Sequence, residues 1–385
     1  MKRQAGFTLI EVLTSVALIT IVMAATLSTL TTAVNTAQGI TMMADTQENL
    51  RAGMNYISRD LIQAGEGIPQ NGLTIPNNGT TSVVNRPGPN AAATFPTSWT
   101  ALPAVIPGYQ LGPTTTTSGN PTDTVTILYA DSTLVNNVSA TSTNWLNKYP
   151  INSASCPGGS ITTAGSTTTI VFDTNCVNIS TGNTALHVGD LIMLQNNNTT
   201  SNNMSVSATN TSGTDSNGHD ALLYVSSVNL AGNSIQFLSG DPFNLNASGQ
   251  STGTITGIQS AANTYGNPVT ATRIWMITYY LDNSNTQLPQ LMRQVNFNAA
   301  QPVGEVIENL QLFYDILNPG SSPPALLSPT EQENPTAANL PYVRDSYILL
   351  CARSDATFAL SGKYIRNNLI NAVSMRGLDY YNEFQ

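Results

Sequence analysis

The sequence predicts an α+β protein, with one long N-terminal helix followed by many β-strands. Three observations carry this prediction. Residues 12–44 contain no charge, and no proline occurs between Phe7 and Pro69. About 20 consecutive apolar residues are enough for a helix to span a bilayer, so this run is long enough. From Asp123 onward, short segments rich in β-branched and aromatic residues alternate with turn residues, which is typical of strands.

The N-terminus combines a short basic leader with an apolar run that contains a single carboxylate. The leader ends at Gly6, Phe7 opens the run, and Glu11 is its only charge. A carboxylate inside a membrane helix is costly and requires a partner. An ordinary signal peptide or plain anchor with a stray glutamate is the alternative. It fits less well, because a signal peptide needs a small-residue cleavage site after the apolar core, and residues 24–26 provide a poor one.

The leader also predicts the orientation in the membrane. Lys2 and Arg3 precede the apolar run and should stay on the cytoplasmic side. The rest of the chain then lies across the membrane, in a compartment where cysteines can form disulfides.

Residues 6–13, Gly-Phe-Thr-Leu-Ile-Glu-Val-Leu, resemble the processing and methylation signature of type IV prepilins, a family that includes the pseudopilins of type II secretion. The resemblance implies cleavage after Gly6 by prepilin peptidase and N-methylation of the new terminus at Phe7. Glu11 would then be the fifth residue of the mature chain. The fold implied is a long helix, transmembrane in its first half, packed on an antiparallel β-sheet that carries an enlarged β-rich insertion.

Simple electrostatics supports an assembly role for Phe7 and Glu11. Cleavage would create a positive amine on Phe7, at the end of a helix whose dipole is already positive there. A buried charge is tolerated mainly when it is paired. The carboxylate of Glu11, four residues further on, can pair with the amine of its own chain or of a neighbouring subunit. Such pairing would favour the addition of subunits in register.

The helix is predicted to continue to about Gly65. Apolar residues recur every seven positions and form a stripe, which predicts packing of the second half against a sheet. The stripe consists of Met43, Leu50 and Ile57 together with Gln47, Met54 and Leu61. The charged residues, Asp60 among them, fall largely off this stripe. The first half should pack against the helices of other subunits.

Further segments resemble PilW-type minor pilins. They are residues 58–65, which follow the apolar run, and residues 188–194 and 241–246. Together with the prepilin signature they imply five regions in the chain: 1–6 leader; 7–30 transmembrane and filament-core helix; 31–65 amphipathic continuation of the helix; 72–265 variable β-rich insertion; 266–385 pilin-like antiparallel sheet.

Individual strands are predicted from alternating apolar residues and β-propensity. A hairpin is expected around the turn at 229–233, and another around the turn at 282–285. The predicted strands cover residues 123–129, 168–172, 190–195, 221–228, 234–238, 273–281, 289–295, 306–316, 346–353 and 371–376.

The three cysteines predict one disulfide and one free thiol. Cys156 and Cys176 lie 20 positions apart in turn-rich surroundings, and a bridge closing such a loop contributes about 3 kcal/mol. Cys351 lies within an apolar strand, which favours a buried free thiol. No Cys-x-x-Cys pair occurs, so neither a zinc ribbon nor a redox motif is supported.

Composition and motifs argue against several other functions. The net charge of −9 and the lack of a basic cluster argue against broad nucleic-acid binding. No nucleophile elbow, zinc-protease motif, phosphate loop or dinucleotide fingerprint occurs, so no enzymatic activity, cofactor or metal is expected. The two histidines, His187 and His219, are expected in solvent-exposed turns.

These observations together predict a minor pilin of a type IV pilus. It would be held in the inner membrane by one span with its N-terminus in the cytoplasm, processed by prepilin peptidase and methyltransferase, and then assembled with other pilins into an extracellular filament. A pseudopilin of type II secretion stays open, because it shares the N-terminal signature. So does an adhesin-like module at the pilus tip that binds through residues 72–265. A membrane-anchored enzyme is the weakest alternative.

Overall fold

The computed structural model describes most of the chain. The described residues are 8–69, 72–75, 83–90, 93–97, 99, 101–114, 119–131, 149–152, 156–164, 167–179, 185–196, 219–246, 269–318, 321, 325–328, 330–375 and 378. They form one long helix, a short 3-10 helix at Leu340–Tyr342, and strands whose pairings are antiparallel. The elements are α1 Leu9–Ile62, β1 Leu73–Thr74, β2 Ala101–Leu102, β3 Val105–Gly108, β4 Thr124–Ala130, β5 Tyr149–Asn152, β6 Ser160–Ala164, β7 Thr167–Val171, β8 Leu191–Asn196, β9 His219–Tyr224, β10 Ser227–Asn229, β11 Ser234–Leu238, β12 Val269–Asp282, β13 Gln290–Val295, β14 Gln301–Glu305, β15 Ile307–Ile316, β16 Val343–Phe358 and β17 Lys363–Ser374.

The predicted α+β class is confirmed. Helix α1 has 54 residues, which corresponds to about 81 Å at 1.5 Å per residue. It ends at Ile62, slightly before the predicted end at Gly65. Gly65 adopts a left-handed backbone with φ of 80°, a conformation that glycine reaches without the steric cost of a Cβ and that commonly follows a helix end.

An eight-stranded sheet is built around the long strand β12. The first half of β12 pairs with β8 and β5, and its second half pairs with β13 and β4. β4, β5 and β8 come from residues 72–265, whereas β12 and β13 come from residues 266–385. Strands from both regions therefore belong to one hydrogen-bonded sheet.

A three-stranded sheet, in the order β15-β16-β17, lies against the second half of α1. A side chain at Gly53 would lie 2.9 Å from Leu291 Cδ2 and 3.5 Å from Leu350 Cδ1, so glycine permits this close approach. The Asn371 side-chain amide donates to Ser58 Oγ at 3.0 Å, which ties β17 to the helix. This packing buries the apolar side of α1, where Leu50, Ile57 and Leu61 join the core.

The buried side of α1 differs in part from the predicted stripe. Met43 is 46% exposed and Gln47 is exposed, whereas Met42, Thr46 and Asp60 are buried. The physical reason is which side of the helix meets the sheet. Gly39, Met42 and Thr46 lie three and four positions apart on one side of the helix, and a side chain at Gly39 would lie 3.0 Å from the ring of Phe358 in β16. That side is therefore covered at the N-terminal end of the contact, whereas Met43 and Gln47 lie beyond it.

Most predicted strands occur close to their expected bounds, with differences in length. The segment predicted at 221–228 is divided into β9 and β10, because the Val225 N–H donates to Asp190 O and the Ser226 N–H donates to Gln236 O. β16 extends to Phe358 and β17 begins at Lys363, so their hairpin is longer than predicted. The extra residues mix polar and apolar side chains that are mostly exposed or half-buried, and they show no strict apolar alternation that a sequence pattern can reveal.

A second sheet of four strands, in the order β10-β11-β7-β6, packs against the eight-stranded sheet through an apolar core to which β8, β9 and β12 also contribute. The predicted pair, Cys156 and Cys176, forms a disulfide with a Cα–Cα distance of 5.9 Å. Both sulfur-bearing side chains are buried in this core. One cysteine precedes the β6–β7 hairpin and the other follows it, so the bond joins the two ends of the hairpin.

We expect replacement of both cysteines of this pair by serine to lower the free energy of unfolding by about 3 kcal/mol, since a 20-residue loop is no longer closed in the unfolded chain. Urea denaturation of the full chain in detergent measures the change. Cys351→Ser is the matched control and should change stability much less. An equal loss in both variants would contradict the role assigned to the bond.

Candidate assembly site

The first half of α1 projects from the folded body with apolar side chains on all its sides. Met42 is the first buried residue of the helix. The residues before it span about 50 Å at 1.5 Å each, which exceeds the roughly 30 Å thickness of a bilayer core. Large exposed apolar residues in this half are Leu9, Ile10, Val12, Leu13, Val16, Leu18, Ile19, Ile21, Val22, Met23, Leu27, Leu30, Val34 and Ile40. A helix that is apolar all round requires lipid or other helices around it.

By length and composition, α1 is able to cross a membrane, and none of its most apolar window is buried in the folded body. Its serine and threonine hydroxyls do not oppose this. Thr20 Oγ1 donates to Ala17 O at 2.8 Å, Thr29 Oγ1 donates to Ala25 O at 2.9 Å, and other hydroxyls along the helix make the same kind of bond. These hydroxyls are thus satisfied within the helix, as a membrane interior demands.

Thr8 and Glu11 close the N-terminus of α1 with a reciprocal capping box. The Thr8 N–H and the Thr8 hydroxyl donate to Glu11 Oε2 at 3.0 and 2.9 Å, and the Glu11 N–H donates to Thr8 Oγ1 at 3.4 Å. The carboxylate therefore points towards the start of the chain rather than along the helix. Sequence reasoning missed Thr8, although a threonine three positions before a glutamate is a readable capping signature.

Two predicted site residues, Gly6 and Phe7, lie outside the described residues. Glu11 is the only charged side chain between Thr8 and Asp45. The described end of the helix therefore carries one negative charge, three positions after Thr8, and the first cationic residue further along the helix is Arg51.

At the opposite end, a buried polar cluster fixes α1 to the eight-stranded sheet. The Tyr279 hydroxyl donates to Asp60 Oδ2 at 2.6 Å, and Arg293 Nε donates to the same oxygen at 2.8 Å. Asp60 is 1% exposed. Burial and the charge of Asp60 raise the pKa of Tyr279 above its ordinary value, so the phenol stays a donor. The sequence-based stripe placed Asp60 off the packed side, which is wrong.

The remaining predicted site residues have simple surroundings. Cys351 is a free thiol but is half-buried rather than buried, because it lies on the outer side of β16. Burial and the nearby Glu308 raise the pKa of its thiol. His187 is exposed in a turn, where its backbone N–H donates to Asp190 Oδ2 at 2.9 Å. Among the described residues, no group of three or more His, Cys, Asp or Glu side chains is arranged to hold a metal ion.

Residues 1–27 match the family model described as the prokaryotic N-terminal methylation motif. This match supports a type IV pilin-like precursor. The motif and the apolar helix fit membrane anchoring before pilus assembly, and they imply processing by prepilin peptidase and assembly with other pilins. They suggest a structural protein rather than an enzyme. No curated protein and no solved structure matches the chain.

Proposed function

We propose that this chain is a minor pilin, a structural subunit of a type IV pilus. The observation that carries the proposal is the projecting half of α1, which follows the methylation motif, is apolar on all sides and holds Glu11 as its single charge. Such a helix serves first as a membrane anchor and then as part of a filament core. Both states supply the apolar surroundings that the folded body of the chain does not.

Processing takes place after Gly6, and the new terminus at Phe7 is N-methylated. Before assembly the chain spans the inner membrane once with its leader in the cytoplasm, and residues 31–385 lie on the far side. After assembly the chain belongs to an extracellular filament. The basic leader and the exposed apolar helix support this order of events.

Assembly depends on the pairing of Glu11 with an amine at Phe7 of its own chain or of a neighbouring subunit. The capping box supports this role, because it turns the carboxylate towards Thr8, the residue that follows Phe7. In a medium of low dielectric constant, an ionised carboxylate needs an opposite charge in addition to hydrogen bonds. The pairing gives an incoming subunit a defined position along its neighbour.

The chain is of the PilW type, with a variable β-rich insertion at 72–265 and a pilin-like sheet at 266–385. The resemblance of residues 58–65 supports this, and Asp60 in that segment holds the helix to β12 and β13. Residues 188–194 contribute β8, which pairs with β12, so the insertion extends the pilin-like sheet.

A pseudopilin of type II secretion is the second candidate, because the methylation motif at residues 1–27 supports both kinds of subunit. Location separates them. A minor pilin is recovered with filaments sheared from the cell surface and is lost when the pilus machinery is deleted. A pseudopilin stays with the cell envelope and depends on the secretion machinery.

The test of the proposal is intact-mass and N-terminal peptide analysis of the protein from its native cells. We expect a mature chain that starts at N-methylated Phe7. A Gly6→Leu variant should keep the leader and stay in the membrane, and Gln4→Ala is the matched control in the same leader. A native chain that starts near Thr26, or that retains Met1, would refute the pilin proposal.

A further inference from the structure

Among the described residues, the three-stranded sheet has one edge that is covered, along β15, and one edge with which no other strand pairs, along β17. Along β15, the Asp123 N–H donates to Leu310 O at 2.9 Å, and Tyr314 exchanges backbone hydrogen bonds of 2.9 and 2.8 Å with Gln332. Within the described part of the chain, no strand pairs with the outer side of β17. This strand is 12 residues long, so a long row of backbone groups has no partner strand among the described residues.

The direction of the backbone groups along β17 follows from two hydrogen bonds. The Ile365 N–H donates to Ser354 Oγ and the Met375 N–H donates to Arg344 O, both at 3.1 Å and both towards β16. Backbone groups alternate in direction along a strand of an antiparallel pair. The even-numbered residues 366, 368, 370 and 372 therefore present their N–H and C=O groups to the free side.

The free edge lacks the usual protection against strand addition. Exposed edges are normally blunted by charges, proline or a bulge. β17 has charged residues only at Lys363 and Arg366, near its start, and none in residues 367–374. Ile370 is 65% exposed on the outer side, beside the half-buried Leu349 of β16. Unpaired backbone groups next to an apolar side chain fit an added strand with an apolar residue beside Ile370.

The orientation of β17 argues against a second copy of this chain as the added strand. Gly39 lies beside Phe358 and Gly53 lies beside Leu350, so α1 runs opposite to β16 and in the same direction as β17. Antiparallel pairing of two β17 strands would make the two α1 helices antiparallel. Parallel pairing of the same two edges would place the helices on opposite faces of the joined sheet. Neither arrangement suits subunits that enter one membrane from one side and pack their helices together.

We propose that the free edge of β17 receives an extended segment of a different pilin-like subunit, which adds a fourth strand to the β15-β16-β17 sheet. The part of the added segment that lies beside residues 367–374 of β17 carries no charge, and it places an apolar side chain beside Ile370. The inference rests on the proposed function, because the common membrane orientation of the subunits excludes self-pairing. The outer edge of β17 is then the surface by which this subunit binds its neighbour.

The test uses the full-length chain in its native cells, with the photoreactive amino acid p-benzoylphenylalanine at position 372. Cross-linked peptides are identified by mass spectrometry. Asn368→Pro removes an outward N–H and leaves the bonds between β16 and β17 intact, since proline is tolerated on strand edges. Asn368→Ala is the matched control. We expect cross-links to a segment of another pilin-like subunit, with a yield that falls about tenfold in Asn368→Pro and is unchanged in Asn368→Ala, because edge hydrogen bonds and close approach are lost.

The melting temperature of each purified variant in detergent verifies that it is folded. Should Asn368→Pro be destabilised, Ile370→Pro and its control Ile370→Val take its place. Cross-links only to a second copy, cross-links that proline does not reduce, or no cross-link at all would overturn the inference. N-terminal mass analysis of the same samples is a separate test, which concerns the proposed function. Failure to find N-methylated Phe7 counts against the proposed function, whereas the cross-links decide the role of the edge.

Discussion

Replacing Asp60 by alanine is expected to lower the free energy of unfolding by about 3 kcal/mol or more, because removal of one partner from a buried ion pair leaves the other charge uncompensated. Asp60 Oδ2 accepts hydrogen bonds from Tyr279 at 2.6 Å and from Arg293 at 2.8 Å. The side chain of Arg293 is only 20% exposed, so water replaces the lost carboxylate poorly. Urea denaturation of the full chain in detergent, followed by tryptophan fluorescence, measures the effect.

Two further variants identify the cause. Asp60→Asn keeps an oxygen that can accept from Tyr279 but removes the charge, so we expect a loss between those of wild type and Asp60→Ala. Asp45→Ala changes an exposed carboxylate on the same helix and should alter stability by about 0.5 kcal/mol or less, as surface substitutions usually do. If Asp60→Ala costs no more than Asp45→Ala, the cluster does not hold the helix to the sheet.

The cluster also matters for the proposed function, because it lies at the far end of the helix to which we assign the anchoring role. In the proposed filament, force passes from subunit to subunit through the packed helices, and α1 is the covalent connection between the folded body and that core. Close packing at Gly53 and the cluster around Asp60 attach the helix to two different sheets. A weakened attachment would therefore separate the surface part of the subunit from its place in the filament.

The sequence predicts the local elements well and their long-range pairing poorly. The helix and most strands follow from apolar periodicity, which is a local property. The pairing of β12 with β4 on one side and β8 on the other joins segments that lie far apart in the chain. No local pattern encodes that register. Asp60 illustrates the same limit, since an aspartate reads as a surface residue until its partners on β12 and β13 are known.

The candidate site shows a similar division. Glu11 is evident from sequence because it is the only charge in a long apolar run. Its contact with Thr8 depends on the start of the helix, and helix ends are less evident than helix interiors. The capping box gives the carboxylate a local role in helix formation, in addition to the role in assembly that we propose. The two roles make different demands on the side chain and can be separated by substitution.

Glutamine at position 11 separates them because it retains the capping box but not the charge. Glutamine at the third helical position still accepts the Thr8 N–H, so a purely local role predicts that Glu11→Gln assembles like wild type. Pairing with the amine of Phe7 requires the negative charge. We therefore expect Glu11→Gln and Glu11→Ala to be processed after Gly6 but to enter filaments about a hundredfold less than wild type, as expected when an ion pair in a medium of low dielectric constant is broken.

The measurement compares the amount of each variant in sheared filaments with the amount left in the membrane, while N-terminal mass analysis verifies processing. Thr8→Ala is the matched control, since it removes the capping hydroxyl and leaves the charge of Glu11 in place. If the charge drives assembly, Thr8→Ala should lose far less incorporation than Glu11→Gln. Wild-type incorporation of Glu11→Gln, combined with loss in Thr8→Ala, would reverse the assignment: the helix cap would then be the requirement for assembly, and the Phe7 amine would need another partner.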